Sequence, residues 1–362
     1  FMGKWMKKRY PDSCKDLCTA FIERGYSLAR DGGYAAMVTM QSWMFLGSFE
    51  KMRKRVIDEK TIVAMAHLGP RAFDAIGGEV VSVTADVLYN GRAAIKGAYV
   101  RLVDIIGSEP KRLKLLEAIQ NPGCGYFYRA DATTFHDIPG SPIAYWASGN
   151  FISMLSTSKT IADYSTVVTG LTTGDNPHFL RAWWEVSHNK TSLGELCNPT
   201  KKWIPCLKGG QFRKWYGNNA LVINWDNNGE ELKAFPGACI GDTSRYFLRC
   251  ITWGKISSGS LSMRFTPDGY IPTNVGRVCY AHDINSLGIL LAVANSALAN
   301  EYLKLVAPTL TFTSSDIEGI PIPDVSSISD SAPLLTKQCV ALSMADWDSL
   351  ETSWDFKRCQ LV

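Results

Sequence analysis

An α/β layer followed by an α+β region is the fold class this sequence predicts, on three observations. Between residues 13 and 88, helical and strand-like patterns alternate in the order helix, strand, helix, strand, strand, as in the second half of a doubly wound sheet. Past residue 170, short aromatic or β-branched segments are cut by Gly, Asn and Pro turns. The chain's 362 residues, 46% of them hydrophobic, are too many for one ordinary core and enough for two.

Ser13, with Asp16 three residues on, makes a capping-box-like start after Pro11. Cys14, Leu17, Cys18, Phe21, Ile22 and Leu28 then share one helical face, and Gly32-Gly33 stops the helix. YAAMVTM, residues 34–40, reads as a central parallel strand buried on both faces. Gln41, Ser42 and Trp43 leave its carboxyl end, the edge where open α/β sheets bind ligands. The next helix points Phe49, Met52, Val56 and Ile57 inward and Lys51, Arg53, Lys54 and Arg55 outward, and residues 61–68 and 80–88 are strands.

From 91 to 158 the pattern weakens to a helix at 110–119, a Gly/Pro break at 121–125, a loop at 139–142 and a short helix at 150–155, with a domain boundary in the interval. Beyond it, 220–225 and 270–271 read as strands and 283–306 as one long helix ended by Pro308. Residues 317–323 are extended, and from 332 a helical pattern runs into an acidic tail.

A net charge of +4 argues neither for nor against a polyanionic partner, but basic residues cluster: Lys4, Lys7, Lys8 and Arg9, then Lys201, Lys202, Lys208, Arg213 and Lys214. The ten cysteines form no CxxC pair and are expected to be reduced thiols in a cytosol. The longest apolar run, 287–298, is too short to span a bilayer. With Phe at position 1, the chain is expected to be an internal piece of something larger. The five histidines stand in no HxxxH or HExxH setting, and neither GxSxG nor a Walker-type loop occurs, so no self-contained active site is legible.

Nucleic-acid binding has better material. In KGGQFRKWYGNN, Arg213 and Lys214 can reach phosphates or, for Arg213, a guanine edge, Asn218 and Asn219 can pair with adenine, and Trp215 and Tyr216 can stack on sugar or base. The competing reading is a β-turn with a solvated basic edge and its aromatics tucked inward. Thr172 to Asn176 is either a tight Asx-type turn or a polar loop presented to a ligand, with Thr173, Asp175, Asn176 and Arg181 exposed over a core that holds Trp183 and Trp184.

Long blocks carry a resemblance. QSWMFLGSFEKMR, AHLGPRAFDAIGGEVVSVTADVL, GLTTGDNPHFLRAWWEV, FRKWYGNNALVINW and ITWGKISSGSLSMRFTPDGY are together similar to the PglX-type adenine-specific DNA methyltransferases of bacterial BREX phage-defence systems, which are related to fused type IIG restriction-modification enzymes. The resemblance implies that residues 1–105 are the carboxyl-terminal half of a Rossmann-like methyltransferase domain and 106–160 a connecting region. It makes 161–325 a DNA target-recognition domain similar to type I specificity subunits, and 326–362 the start of a helical region.

The implied cofactor is S-adenosylmethionine, bound mainly by residues missing from this chain. The implied partners are double-stranded DNA and other BREX defence proteins, in a bacterial cytoplasm. Phe1 resembles the aromatic end of an Asn-Pro-Pro-Tyr/Phe motif that stacks on a flipped adenine, although the Asn and both prolines are absent. The intact protein would methylate adenine at N6, and this stretch would supply target recognition. A rival reading is a non-catalytic specificity module that docks on a separate methylase or nuclease.

Overall fold

In the computed structural model, which describes residues 2–75, 81–193, 200–256, 259–307, 311–324 and 331–358, the chain divides into two units, Phe1–Thr157 and Ser158–Val362. In the first, β1 (Tyr34–Met40), β2 (Thr61–Pro70), β3 (Ser82–Tyr89), β4 (Gly97–Arg101) and β5 (Phe127–Ala130) form one sheet in the order β1-β3-β2-β4-β5. β3 lies antiparallel between β1 and β2, so those two run the same way; β4 is parallel to β2, and β5 is antiparallel to β4. The sheet therefore continues past residue 105, into the stretch expected to be a connector.

Among the described residues β1 is an edge, not the centre its apolar run suggests. Its burial alternates, with Tyr34 65% and Val38 59% exposed on one face and Thr39 buried on the other. An apolar run is compatible with burial on both faces, but here one face and one edge of the strand lack neighbours.

Five helices flank the sheet: α1 (Met2–Arg9), α2 (Leu17–Leu28), α3 (Glu50–Glu59), α4 (Ser108–Gln120) and α5 (Gly149–Thr157). The cap of α2 is Asp16, whose side chain accepts from Cys18 N, while the expected starter Ser13 bonds Glu23 instead. The buried stripe of α2 is Thr19, Ala20, Ile22 and Tyr26, not the expected face, and Leu17, Phe21 and Leu28 are exposed. Gly25 lets α2 close on β1, since a Cβ there would meet Met37 Sδ at 3.3 Å.

The core between helices and sheet holds Trp43, Met44, Met52, Val56, Tyr99 and Tyr145, with Tyr99 and Tyr145 stacked at 4.6 Å. Each side chain buried there contributes about 1.5–3 kcal/mol. The expectation that Arg53 faces outward is wrong. It is fully buried and donates to the carbonyls of Trp43 (3.0 Å), Leu46 (2.6 Å), Gly140 (2.5 Å) and Ser141 (3.1 Å). A helical wheel assigns a cation to solvent by default, yet four carbonyls from two loops engage four of the five donors of this fork.

The second unit holds β6 (Lys159–Thr160), α6 (Ile161–Tyr164), β7 (Ser165–Val168), α7 (Asn176–Phe179), β8 (Leu180–Ala182), β9 (Trp203–Leu207), β10 (Leu221–Asn224) and α8 (Asp226–Ala234). These are followed by β11 (Cys250–Gly254), β12 (Met263–Thr266), β13 (Ile271–Pro272) and β14 (Gly276–Ala281). Its carboxyl-terminal part comprises α9 (Leu287–Ala294), α10 (Ala297–Val306), α11 (Ser314–Glu318), β15 (Pro321–Ile322) and α12 (Ser331–Asp348).

Two four-stranded sheets result, β13-β9-β10-β8 and β12-β11-β14-β7, with β15 pairing β6. The helix expected over 283–306 is broken and bent by 68° between α9 and α10. Asn295 there turns both ends of its amide to β12, accepting from Met263 N and donating to Met263 O at 2.9 Å each, and Ser296 caps α10. Residues 317–323 are only partly extended, because Thr313 and Asp316 form a capping box that starts α11 first. No single described helix is long and apolar enough to cross a membrane.

Two outcomes follow from the first unit. Arg53→Met removes the side-chain donor from four carbonyls, of which, among the described residues, only Leu46 O keeps another partner, Phe49 N, and is expected to destabilise the unit by about 3–5 kcal/mol in urea unfolding, the range for breaking a buried charged network; an unchanged midpoint would show the carbonyls are satisfied without it. Asp86 on β3 is buried, its Oδ1 has no hydrogen-bond partner, and burial pushes its carboxyl from 3.8 up to about 7. The folded state therefore holds the proton more tightly than the unfolded one, so stability is greatest below about pH 4 for this group and is lost as pH rises toward 7. Asp86→Asn should flatten that fall; an equal pH dependence in both proteins would assign it to other groups.

Candidate nucleic-acid interface

The loop before α7 is a built turn. Thr172 exchanges two backbone hydrogen bonds of 2.8 Å with Cys239, Gly174 has φ +75°, and a Cβ on it would meet Gly237 C at 2.9 Å. Asp175 caps α7 by accepting from His178 N, and Thr173 Oγ1 donates to Asn176 Oδ1 at 2.8 Å. Of the residues expected to be exposed here, Asn176 is exposed and Asp175 and Arg181 are half-buried, but Thr173 is buried at 4%. The turn draws the Thr173 hydroxyl inward to satisfy Asn176.

Arg181 folds back on its own turn, donating to Pro177 O and to Leu180 O. His178 donates to Glu231 Oε1 at 2.6 Å, and this hydrogen bond holds the Glu231 carboxyl below its usual range. Trp183 is anchored by Nε1 donating to Thr352 O, while Trp184, expected in the core, is 54% exposed.

The second cluster follows β9. Lys208 is half-buried. Arg213 Nη1 donates to Asp346 Oδ2 at 2.6 Å, and the guanidinium lies 5.3 Å from the Trp347 ring centroid, both partners being on α12. Gly217 makes room for this, since a Cβ would stand 2.5 Å from Arg213 Cδ. Lys214 Nζ donates to Asn295 O at 2.8 Å, at the break between α9 and α10.

Trp215 (φ +73°) and Asn218 (φ +63°) both take left-handed backbone, and Asn218 Nδ2 donates to Gln211 O. Trp215 N donates to Met263 O and Phe265 N to Trp215 O, so the segment is pinned along β12 and is not a free hairpin turn. Tyr216 and Asn219 are buried, and burial with Asp348 nearby pushes the Tyr216 phenol up to about 12.

The structure thus gathers Arg213, Lys214, Trp215 and Asn218 into one locally braced segment and keeps the 173–176 loop apart from it. β8 separates them: its Ala182 end adjoins the braced segment through the bond from Trp183 N to Ala220 O, and its Leu180 end adjoins the α7 loop. Asn219 faces the interior and is withdrawn as a base-contacting group. Phe1, the candidate for adenine stacking, lies outside the described residues.

Sequence reasoning missed three side chains at this face. Phe212 is 53% exposed beside the basic pair, Gln211 is exposed, and Arg264 on β12 is buried at 2%. The Gly209-Gly210 pair was the available signal for the first two: both glycines have positive φ, and a Cβ on Gly210 would collide with the Asn218 side chain at 2.7 Å. Nothing in SLSMRFT distinguishes Arg264 from a solvated strand residue.

Residues 2–73 match the family model described as Eco57I restriction-modification methylase. The chain is 38% identical over 98% of its length to the adenine-specific methyltransferase PglX of Lacticaseibacillus casei, and 39% identical over its whole length to the adenine-specific methyltransferase BrxX of Escherichia coli. It covers 30% and 29% of those relatives, so it spans under a third of their length.

Among solved structures, the type IIL restriction-modification enzyme MmeI in complex with DNA matches 94% of this chain and 45% of its own at TM-score 0.54 and 11% identity. A nuclease-deletion mutant of the type ISP enzyme LlaGI with a DNA substrate mimic matches 94% of this chain and 39% of its own at TM-score 0.52 and 8% identity. At those identities the likeness concerns fold, a mixed α/β architecture found in restriction-modification enzymes. From end to end, the chain is thus similar to one stretch of each of these two proteins named as adenine-specific methyltransferases.

Proposed function

We propose that this chain is the part of a site-specific DNA adenine-N6 methyltransferase that completes the methylase sheet with its first unit and reads the DNA target with its second. The observation that carries the reading is the end-to-end identity to two proteins named as adenine-specific methyltransferases. The strand order supports the division of labour. β1 and β2 run parallel with β3 antiparallel between them, and among the described residues no strand pairs with the far edge of β1, which suits a strand added there.

The intact protein would take its methyl group from S-adenosylmethionine. The described residues do not make that cofactor's cradle: β1 runs into a 3₁₀ turn at Gln41–Met44, and no strand here leads through a glycine-rich loop into a helix. The cofactor would be held by other parts of the protein, and no step of methyl transfer is assigned to residues of this chain. Recognition falls to the braced basic and aromatic segment, where Arg213, Lys214, Lys208, Trp215 and Phe212 offer phosphate contacts and stacking surfaces without further folding.

Purified chain is expected to bind duplex DNA with steep salt dependence, each neutralised phosphate adding about −0.9 to the log–log slope. Undetectable binding at low ionic strength would count decisively against a reading role. Methylome sequencing of cells that carry the intact gene tests the reaction itself: adenine N6 marks in a fixed motif are expected, and marks on cytosine or none would refute it.

Arg213 gives a sharper check, because Asp346 competes with DNA for its guanidinium. Asp346→Asn should tighten duplex binding several-fold and Arg213→Ala should weaken it. If both variants match the unaltered chain, Arg213 serves only to dock α12.

A further inference from the structure

Beside the braced segment lies a cavity of about 220 Å³ lined by Gly210, Gln211, Phe212, Ser262, Arg264 and Phe312, among others. Arg264 is 2% exposed, yet among the described residues its guanidinium makes a single long hydrogen bond, Nη1 to Arg213 O at 3.4 Å. Its Nε has no partner, and no carboxylate pairs with it among the described residues. The carboxylate that Arg213 reaches, Asp346, is already taken by it.

This contrasts with Arg53, whose buried guanidinium is satisfied by four carbonyls. A cation buried without a counter-charge is costly unless something arrives to neutralise it, and the apolar walls supplied by Phe212 and Phe312 strengthen whatever charge pairing occurs there. Burial, and the second cation Arg213, pull the Arg264 guanidinium down to about 10, so it still carries its proton at neutral pH.

The other lining groups are mostly donors. The N–H groups of Gly210 and Phe212 donate to nothing among the described residues, the Ser262 hydroxyl is available, and the lining includes no carboxylate. Donors around a fixed fork with no competing acceptor charge select a compact oxyanion. The cavity also adjoins the basic run Lys208, Arg213 and Lys214, in which successive backbone phosphates would lie.

We propose that this cavity takes one phosphodiester group of a DNA backbone, with Arg264 as its charge partner and Ser262 and the 210–212 loop as additional donors. The assignment deepens the DNA-reading role proposed above and rests on it. Arg264 would be a register-setting contact that is insensitive to base sequence.

The test uses the 362-residue chain labelled with ¹⁵N at arginine. Inorganic phosphate should shift the Arg264 Nε–H resonance saturably in the unaltered chain but not in Gln211→Glu, which places a carboxylate at the mouth of the cavity without touching the core. In duplex titrations against salt, Gln211→Glu and Arg264→Gln should each lower the log–log slope by about 0.9, the value of one phosphate. Gln338→Glu, the same charge change at an exposed position of α12, should not lower it.

Because Gln211 is exposed, its variant keeps the test decisive if Arg264→Gln fails to fold. An unmoved resonance overturns the site. A moved resonance with unchanged slopes makes it a pocket for a free anion and overturns the backbone assignment. If the unaltered chain binds no duplex at any salt, it is the DNA-reading role that fails first; if that chain binds and only the variants' slopes are unchanged, this inference alone fails.

Discussion

A guanidinium removed from water must be given acceptors, and the first unit is arranged around one that has them. Arg53 leaves α3 in the direction a helical wheel would give to solvent, but it meets the carbonyls of Trp43 and Leu46 on one side and of Gly140 and Ser141 on the other. Those two loops are about 95 residues apart in the chain. One side chain thus fixes the turn at the carboxyl end of β1 and the loop that delivers Tyr145 to the core, where Tyr145 stacks on Tyr99 and bonds His67. His67 in turn stays neutral, pushed down to about 3 by burial with Arg101 and Lys111 nearby. The buried charge of Arg53 is thus met by backbone dipoles instead of by a carboxylate.

Much of this fold was legible because burial and periodicity agree where a helix covers a sheet. The α3 pattern of Met52, Val56 and Ile57, the strands at 34–40, 61–68 and 80–88, and the helix near 110–119 all appear where the spacing puts them. The failures have separate causes. For α2 the element was right but its cap, Asp16, sits three residues past the one the capping box suggested, and its buried face is the one that carries Thr19, Ala20, Ile22 and Tyr26. For β1 the apolar run was right and its neighbours were wrong, since a single sequence carries no information about which strands stand beside it. The helix over 283–306 failed at Asn295 and Ser296, where side-chain bonds to β12 and to the next turn outweigh continued helix propensity.

The candidate interface was legible in composition and illegible in detail. RKWYGNN does mark a special stretch of backbone, with two non-glycine residues in left-handed conformation that only a well-braced segment holds. The sequence gives no hint that Arg213 would reach a carboxylate on α12, over a hundred residues later, or that Asn219 would turn inward. Long-range ion pairs leave no local signature. Arg264 was missed for the opposite reason: an arginine in a short polar strand looks ordinary until its burial is known.

The two buried arginines together show how a fold can separate stability from recognition. Arg53 is complete within the protein, so nothing that binds there would gain from its charge. Arg264 keeps a buried charge with a single long bond, held in place by a strand that Trp215 and Asn295 bond along the edge opposite β11. Folding carries the cost of desolvating that guanidinium in advance. A phosphate that enters meets a donor fork already stripped of water and fixed in direction, and loses less in ordering it than it would on a mobile surface lysine. A rigid contact of this kind sets where the duplex lies, and only a duplex held in a fixed register lets the neighbouring, more adaptable side chains discriminate one base edge from another.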